Sequence, residues 1–273
     1  MTATLVRNAL EEDCATNDIT SIATVVSDRR GRSTIVAREG GVIAGIPLVR
    51  EAFRQRDANV SVRSTIRDGR RVQATTAIIF ITGHARGMLS AERVALNFLQ
   101  RLSGIASLTA RYVDAVAGTG TKILDTRKTT PGWRRLEKYA VRAGGGMNHR
   151  MDLSAAILIK DNHLAALGGD VELAVQRARK IAPPHTAVEV ECNNLEQVRS
   201  ALVAAADVIM LDNMSNSMMR GAVEIVAGRA VTEASGGVTL ERVRSIAETG
   251  VDWISVGALT HSARAMDLAL DFD

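Results

Sequence analysis

From residue 122 onward the sequence alternates with a regularity that few folds tolerate. Short apolar runs at 122–125, 155–160, 187–191, 208–212, 231–234 and 253–256 are separated by amphipathic segments such as 171–181, 195–204 and 240–249. The runs are nearly continuous in apolar residues, as strands must be when both faces are covered. Strands of that kind separated by helices build βα units on a parallel sheet. An eight-fold barrel takes about 250 residues, and the stretch from 122 to 273 has room for about six units. The expectation is therefore α/β, with an open, incomplete barrel of about six parallel strands. A doubly wound open sheet is the alternative. It is weakened by the lack of a GxGxxG opening a helix.

The residues before this point follow a different grammar. Segments 33–38, 60–65 and 75–83 read as strands rich in β-branched residues, with turn signals at Gly40-Gly41 and Asp68-Gly69. A helix is expected from Pro47 through Arg56, and one long helix over 91–116, where Val94, Leu96, Leu99, Leu102, Ile105 and Leu108 recur near helical spacing. The domain boundary falls inside or just before that helix.

Composition removes several function classes. Net charge is +4 with Arg scattered along the chain, and aromatics make up only 3%. Nucleic-acid binding would call for a clustered basic run or exposed aromatic platforms. No apolar run is long enough to span a bilayer, and the first twenty residues lack a signal-peptide core. Cys14 and Cys192 form no CxxC, so a reducing, cytoplasmic setting is expected. No HxH or HExxH spacing points to zinc.

The chemistry gathers at the strand ends, where α/β barrels place their active sites. Thr126-Arg127-Lys128, Lys160-Asp161-Asn162-His163, Glu189 and Glu191, Asp212-Asn213, Ser235-Gly236-Gly237 and Gly257 close six successive runs. Gly144-Gly145-Gly146 leads into His149-Arg150. Cations beside Gly, Pro, Thr and Asn suit an anionic substrate better than a solvated helix face does. Glycines before a helix let backbone N–H groups approach a phosphate. Glu189 and Glu191, two apart on a strand, share a face. They suit ribose hydroxyls, Mg²⁺ or a developing positive charge; a structural ion pair with Lys160 or Arg127 is the plainer reading. Cys192 reads as an inert core thiol.

Taken together, the stretches ERVALNFLQRLSGI (92–105), DTRKTTPG (125–132), GGGMNHR (144–150), LIKDNH (158–163), EVEC (189–192), LDN (211–213), EASGG (233–237) and SVGALTHS (255–262) closely resemble the quinolinate phosphoribosyltransferase family. The resemblance implies an N-terminal α/β sandwich domain (1–104) and a barrel domain (105–273) whose last helix returns to the first domain. It implies phosphoribosyl transfer from phosphoribosyl pyrophosphate to quinolinate with decarboxylation, Mg²⁺ as cofactor, and a homodimer with composite sites. It places Arg127, His149, Arg150 and Lys160 on the quinolinate carboxylates, and Lys128 between the substrate and phosphate regions. Arg93 would reach in from the partner copy. Glu191 and Asp212 would serve the ribose and metal; Ser235, Gly236, Gly257 and His261 would grip the 5′-phosphate. Lys128, Lys160, Glu191 and Asp212 are the expected catalytic set. The loop 15–20, Trp133 and Met151-Asp152-Leu153 depart from the family pattern and bear on the shape of the substrate loops.

Two alternatives stay open at the level of sequence. One is a related phosphoribosyltransferase with another acceptor, nicotinate or that of a homologue associated with molybdate transport. The other is a non-catalytic basic protein binding RNA or acidic partners. A requirement for quinolinate separates the first; a steep salt dependence of RNA binding would revive the second.

Overall fold

A computed structural model describes residues 2–273 as two compact units. In chain order the strands are β1 (Arg30–Ala37), β2 (Gly41–Val42), β3 (Ser61–Ser64), β4 (Arg71–Val72), β5 (Ala77–His84), β6 (Lys122–Leu124), β7 (Ile157–Ile159), β8 (Val188–Cys192), β9 (Val208–Asp212), β10 (Val231–Ser235), β11 (Trp253–Ser255) and β12 (Leu268–Phe272).

The first unit comprises residues 2–108, 139–145 and 263–273. Its antiparallel sheet runs β12-β1-β5-β3, beside a two-residue ladder of β2 and β4. Ile35, Ile79 and Ile81 are fully buried with Phe53, Met88 and Leu99. The helix Ile46–Arg56 begins with Pro47 in its first turn. Asp68 satisfies the amides of Gly45 (3.0 Å) and Ile46 (3.2 Å), which that helix start leaves unpaired. A second helix, Ala85–Ala115, starts well before the residue 91 expected from the sequence. Gly87 and Ser90 look like punctuation but are not. A Cβ on Gly87 would meet the Asp57 side chain at 2.8 Å, so glycine serves close packing. Ser90 turns its hydroxyl back onto the Arg86 carbonyl at 2.6 Å.

The chain end differs from expectation. Residues 268–272 form β12, antiparallel to β1 with Ile35 opposite Leu270, and not a returning helix. The approach is fixed on the long helix: the Met266 amide donates to the Gln100 carbonyl (3.0 Å) and Gln100 Nε2 to the Leu268 carbonyl (2.7 Å). Gly104 permits it, since a Cβ there would lie 2.0 Å from the Arg264 carbonyl oxygen.

The second unit, residues 109–138 and 146–262, holds a six-stranded parallel sheet in the order β6-β11-β10-β9-β8-β7. Four of the five neighbouring pairs are consecutive in sequence, and in the fifth the first strand pairs with the last. That is the order of a six-fold barrel left open between β6 and β7. The segment around Met147 lies on the open side of β6: its amide donates to the Ile123 carbonyl (2.8 Å) and its carbonyl accepts from the Asp125 amide (3.1 Å). Three of the βα crossovers are locally encoded. Asp170, Asn194 and Ser215 cap the helices Val171–Ile181, Leu195–Val203 and Asn216–Val226 through their side chains. Every residue of β8 is buried, as the two-faced covering requires. No helix among the described residues is long and apolar enough to cross a membrane.

Candidate active site

The strand ends of the second unit open onto a cavity of about 650 Å³. Arg127, Lys128, His149, Arg150, Lys160, Glu191, Asp212, Ser235 and Gly236 all line it. Gly257 and His261 do not, but they adjoin it through Lys128: a Cβ on Gly257 would lie 3.1 Å from both Lys128 Cδ and His261 Nε2. Arg93 is not a lining residue; it is exposed on the helix Ala85–Ala115.

The loop after β6 is held by its own neighbours. Thr130 donates from its amide and hydroxyl to Glu137 (3.1 and 2.8 Å), and Arg134 Nε donates to Thr129 Oγ1 (3.0 Å). Thr260 Oγ1 donates to the Lys128 carbonyl at 2.7 Å. Beneath the loop, the ammonium of Lys138 pairs with Asp125, both side chains being wholly buried. Asp125 also accepts from Asn148 Nδ2 (2.6 Å) and the His149 amide (2.9 Å), while Lys138 donates to the His149 carbonyl (2.9 Å). One buried ion pair thus ties the loop bearing Arg127 to the loop bearing His149 and Arg150. Burial pushes Asp125 up and Lys138 down, each toward neutrality, and their pairing opposes both shifts.

Of the wall's cations, Arg150 is held by backbone. Arg150 Nη1 donates to the Ala156 carbonyl at 3.0 Å. Among the described residues neither Arg127, Lys128 nor Arg150 forms an ion pair, and Arg127 Nε is buried without a partner. A buried donor of this kind suits an anionic acceptor. Lys160 is the exception, its Nζ lying 3.6 Å from Glu191 Oε2. Burial pushes the Glu191 carboxyl above its ordinary range; Lys160 opposes this and the charge of Asp212 adds to it.

The acidic side has a deeper layer. His149 Nε2 lies 3.1 Å from Glu189 Oε2 and 3.5 Å from Glu233 Oε2. Burial opposes charge on the ring, and the two carboxylates favour it, raising its pKa. The Arg150 amide works against that charge, since it donates to His149 Nδ1 at 2.8 Å. A doubly protonated ring has no lone pair there to accept. Nδ1 is therefore the unprotonated nitrogen of the ring. Burial raises the Glu189 carboxyl, and the contact with His149 opposes that shift. The plain sequence reading of Glu189 as a partner of Lys160 or Arg127 does not describe this: its partner is His149.

A tight glycine-rich turn closes β10. Gly236 and Gly237 both have positive φ, at +87° and +56°. Asn213 sits beside them with φ +53°, and its amide donates to the Ser235 carbonyl at 2.9 Å. Ser255 Oγ donates to Ser235 Oγ at 3.1 Å. Sequence reasoning passed over Ser255, Thr260, Lys138 and the pairing role of Glu233. Ser255 and Thr260 lie within a quoted motif, but Lys138 reads as an ordinary helix-surface cation. Cys192 is buried, and burial pushes its thiol up to about 12, far from a nucleophile.

An open α/β barrel with a cationic wall, a carboxylate pair and a glycine-rich turn at its strand ends defines an enzyme for a polyanionic substrate. The chain belongs to the quinolinate phosphoribosyl transferase family, matching its N-terminal domain over residues 18–103 and its C-terminal domain over 105–271. It is 44% identical to the probable nicotinate-nucleotide pyrophosphorylase [carboxylating] of Bacillus subtilis, across 95% of this chain and 89% of that one. The nicotinate-nucleotide pyrophosphorylase [carboxylating] of Mycobacterium leprae is also 44% identical, across 97% and 95%. The solved nicotinate-nucleotide pyrophosphorylase from Francisella tularensis superposes with a TM-score of 0.94 at 40% identity, covering 100% of this chain and 96% of that one.

Proposed function

We propose that this chain transfers the phosphoribosyl group of phosphoribosyl pyrophosphate to the ring nitrogen of quinolinate. Loss of CO₂ then gives nicotinate mononucleotide and pyrophosphate, a step of de novo NAD biosynthesis. The observation that carries this reading is the wall of Arg127, Lys128 and Arg150, uncommitted to any acid, within one cavity that also holds Glu191 and Asp212. Quinolinate carries two carboxylates, and guanidinium groups can grip each one through two hydrogen bonds. Arg127, Arg150 and Lys160 are the groups for that task, with His149 in the same wall.

Ribosyl transfer develops positive charge on the sugar as pyrophosphate leaves. Glu191 and Asp212, on adjacent strands, offer the negative field that stabilises it. They also fit Mg²⁺, which prefers carboxylate oxygens. Burial chiefly, and the charge of Asp212 besides, raise the Glu191 carboxyl, and a bound dication would offset both. When bound, Mg²⁺ would neutralise charge on the departing pyrophosphate. Once the ring nitrogen is quaternised, it accepts the electron pair of the breaking bond to the 2-carboxylate. CO₂ departs and the ring carbon takes a proton, for which Lys128 and Lys160 are the cavity's lysine donors. Ser235 and Gly236 would cradle the 5′-phosphate, with Gly257 and His261 alongside. Two unpaired cysteines suit a cytoplasmic setting.

The decisive assay follows nicotinate mononucleotide and CO₂ together from quinolinate, phosphoribosyl pyrophosphate and Mg²⁺, with nicotinate as control acceptor. Both products from quinolinate alone are expected. Turnover of nicotinate instead would transfer the site to another acceptor.

Gly236→Ala tests the phosphate cradle. A Cβ there would lie 2.2 Å from Asn213 Oδ1 at a φ of +87°, so the loop must move. The KM for phosphoribosyl pyrophosphate should rise on the order of tenfold, with that for quinolinate little changed. An unaltered KM would remove the loop from phosphate binding.

The family reading also assigns a homodimer in which each site takes Arg93 from the partner copy. Inactive Arg93→Ala and Lys160→Ala proteins, mixed under subunit exchange, should then recover about a quarter of parental activity. Half of the randomly assorted dimers carry one intact site. No recovery despite demonstrated exchange would make the sites independent.

A further inference from the structure

Glu233 and Glu189 are buried at the floor of the site, yet the reaction just described gives neither a task. Glu233 is fully buried, and three of the pair's four carboxylate oxygens have no hydrogen-bond partner among the described residues. Such burial costs stability, so holding the fold together does not explain it. Together with His149 the two acids present one ring nitrogen and two carboxylates within 4.8 Å of one another, a ligand set that would suit a metal ion. The hydrogen bonding argues otherwise. A neutral histidine that binds a metal through Nε2 keeps its proton on Nδ1 and donates it outward. Here Nδ1 receives the Arg150 amide at 2.8 Å. The ring proton is therefore on Nε2, where it faces Glu189 at 3.1 Å and Glu233 at 3.5 Å.

The result is a strut with a direction. β8 and β10 supply the carboxylates, the carboxylates fix the tautomer and tilt of His149, and His149 Nδ1 fixes the Arg150 main chain. Arg150 is then held at two points, its amide on His149 and its Nη1 on the Ala156 carbonyl at 3.0 Å. We propose that Glu233 and Glu189 are positioning residues for the acceptor site, acting through His149 to aim the Arg150 guanidinium at an acceptor carboxylate. This rests on the quinolinate reading above. It differs from a charge-balancing role, in which the same carboxylates would merely offset the cationic wall.

Glu233→Ala, Glu233→Gln, Arg150→Ala and the Glu233→Ala/Arg150→Ala double variant separate these cases. Glu233→Ala should raise the KM for quinolinate about tenfold to a hundredfold, the scale of a misplaced anchor, while the KM for phosphoribosyl pyrophosphate stays within about twofold. Glu233→Gln should recover to within about threefold of the parent, because it keeps the side chain's volume and a polar oxygen facing His149 Nε2. In the Arg150→Ala background, Glu233→Ala should cost little more, since both changes strike one device. Additive losses, equal losses for both substrates, or a Gln variant as poor as Ala would each overturn the proposal.

A nitrogen NMR spectrum of the ligand-free parent supplies a readout that needs no substrate and no folded Ala variant. It should show His149 as the Nε2–H tautomer, in the parent and in Glu233→Gln alike. An Nδ1–H tautomer or a doubly protonated ring at neutral pH would sink the strut, whatever acceptor the enzyme uses. A parent with the right tautomer but no quinolinate turnover would instead fault the acceptor assignment.

Discussion

Lys160→Ala should lower kcat/KM for quinolinate by about 10²–10⁴-fold, while the melting temperature moves by no more than about 2 °C. The asymmetry follows from where the side chain lies. Lys160 stands at the end of β7 with its side chain 47% exposed, so its removal empties no core. Its amide bonds to His163 Nδ1 at 2.8 Å, a main-chain contact that survives the substitution. What is lost is the cation 3.6 Å from Glu191, in the cavity where a dianionic acceptor and a departing pyrophosphate would meet. A half-exposed ion pair contributes little to stability. The same charge, placed where the transition state develops its own, contributes far more to rate. Parallel assays of both products and a thermal melt decide it. Near-parental turnover in the folded variant would remove Lys160 from the chemistry.

Asp125→Ala should have the largest effect on stability, about 3–5 kcal/mol, lowering the melting temperature on the order of 10 °C. The substitution leaves the Lys138 ammonium wholly buried, with the His149 carbonyl as its remaining partner among the described residues. Lys138→Met should cost less, because the Asp125 carboxylate keeps the amide of His149 and Nδ2 of Asn148. The double variant, with no buried charge at all, should return to within about 2 kcal/mol of the parent. It should nevertheless turn over poorly, since Asp125 also fixes the loop that carries His149 and Arg150. Denaturant titration and steady-state rates on the three proteins check both halves. A stable Asp125→Ala would mean that water or rearrangement relieves Lys138, and an active double variant would mean the loop holds itself.

Several elements could be read with their bounds intact. β9 spans 208–212 and the helix Val171–Ile181 spans 171–181 in sequence and structure alike. A strand covered on both faces is a short apolar run wherever it occurs, and Asp170 announces its helix by capping it. The strand ends were legible for the same reason. Given βα units, each residue that closes an apolar run stands at one rim of the barrel, which is why Arg127, Lys160, Glu191, Asp212 and Ser235 meet in one cavity.

Other features exist only once the chain is folded. The start of the helix at Ala85 was hidden because Gly87 and Ser90 imitate a turn; Asp57, thirty residues earlier, explains the glycine. The LALDF segment (268–272) has apolar residues that fit a helix or a strand, and β1 decides between them by offering an unpaired edge. Lys138 looks like any helix-surface lysine until Asp125 is found opposite it. Glu233 reads as the residue before a phosphate loop until His149 arrives from the far side of the open barrel. The sequence by itself determined the alternation, the caps and the set of reactive side chains, because each depends on periods and turns a few residues long. Only the tertiary structure decided which charges are buried and which are partnered. Those depend on distances between segments that no local pattern encodes.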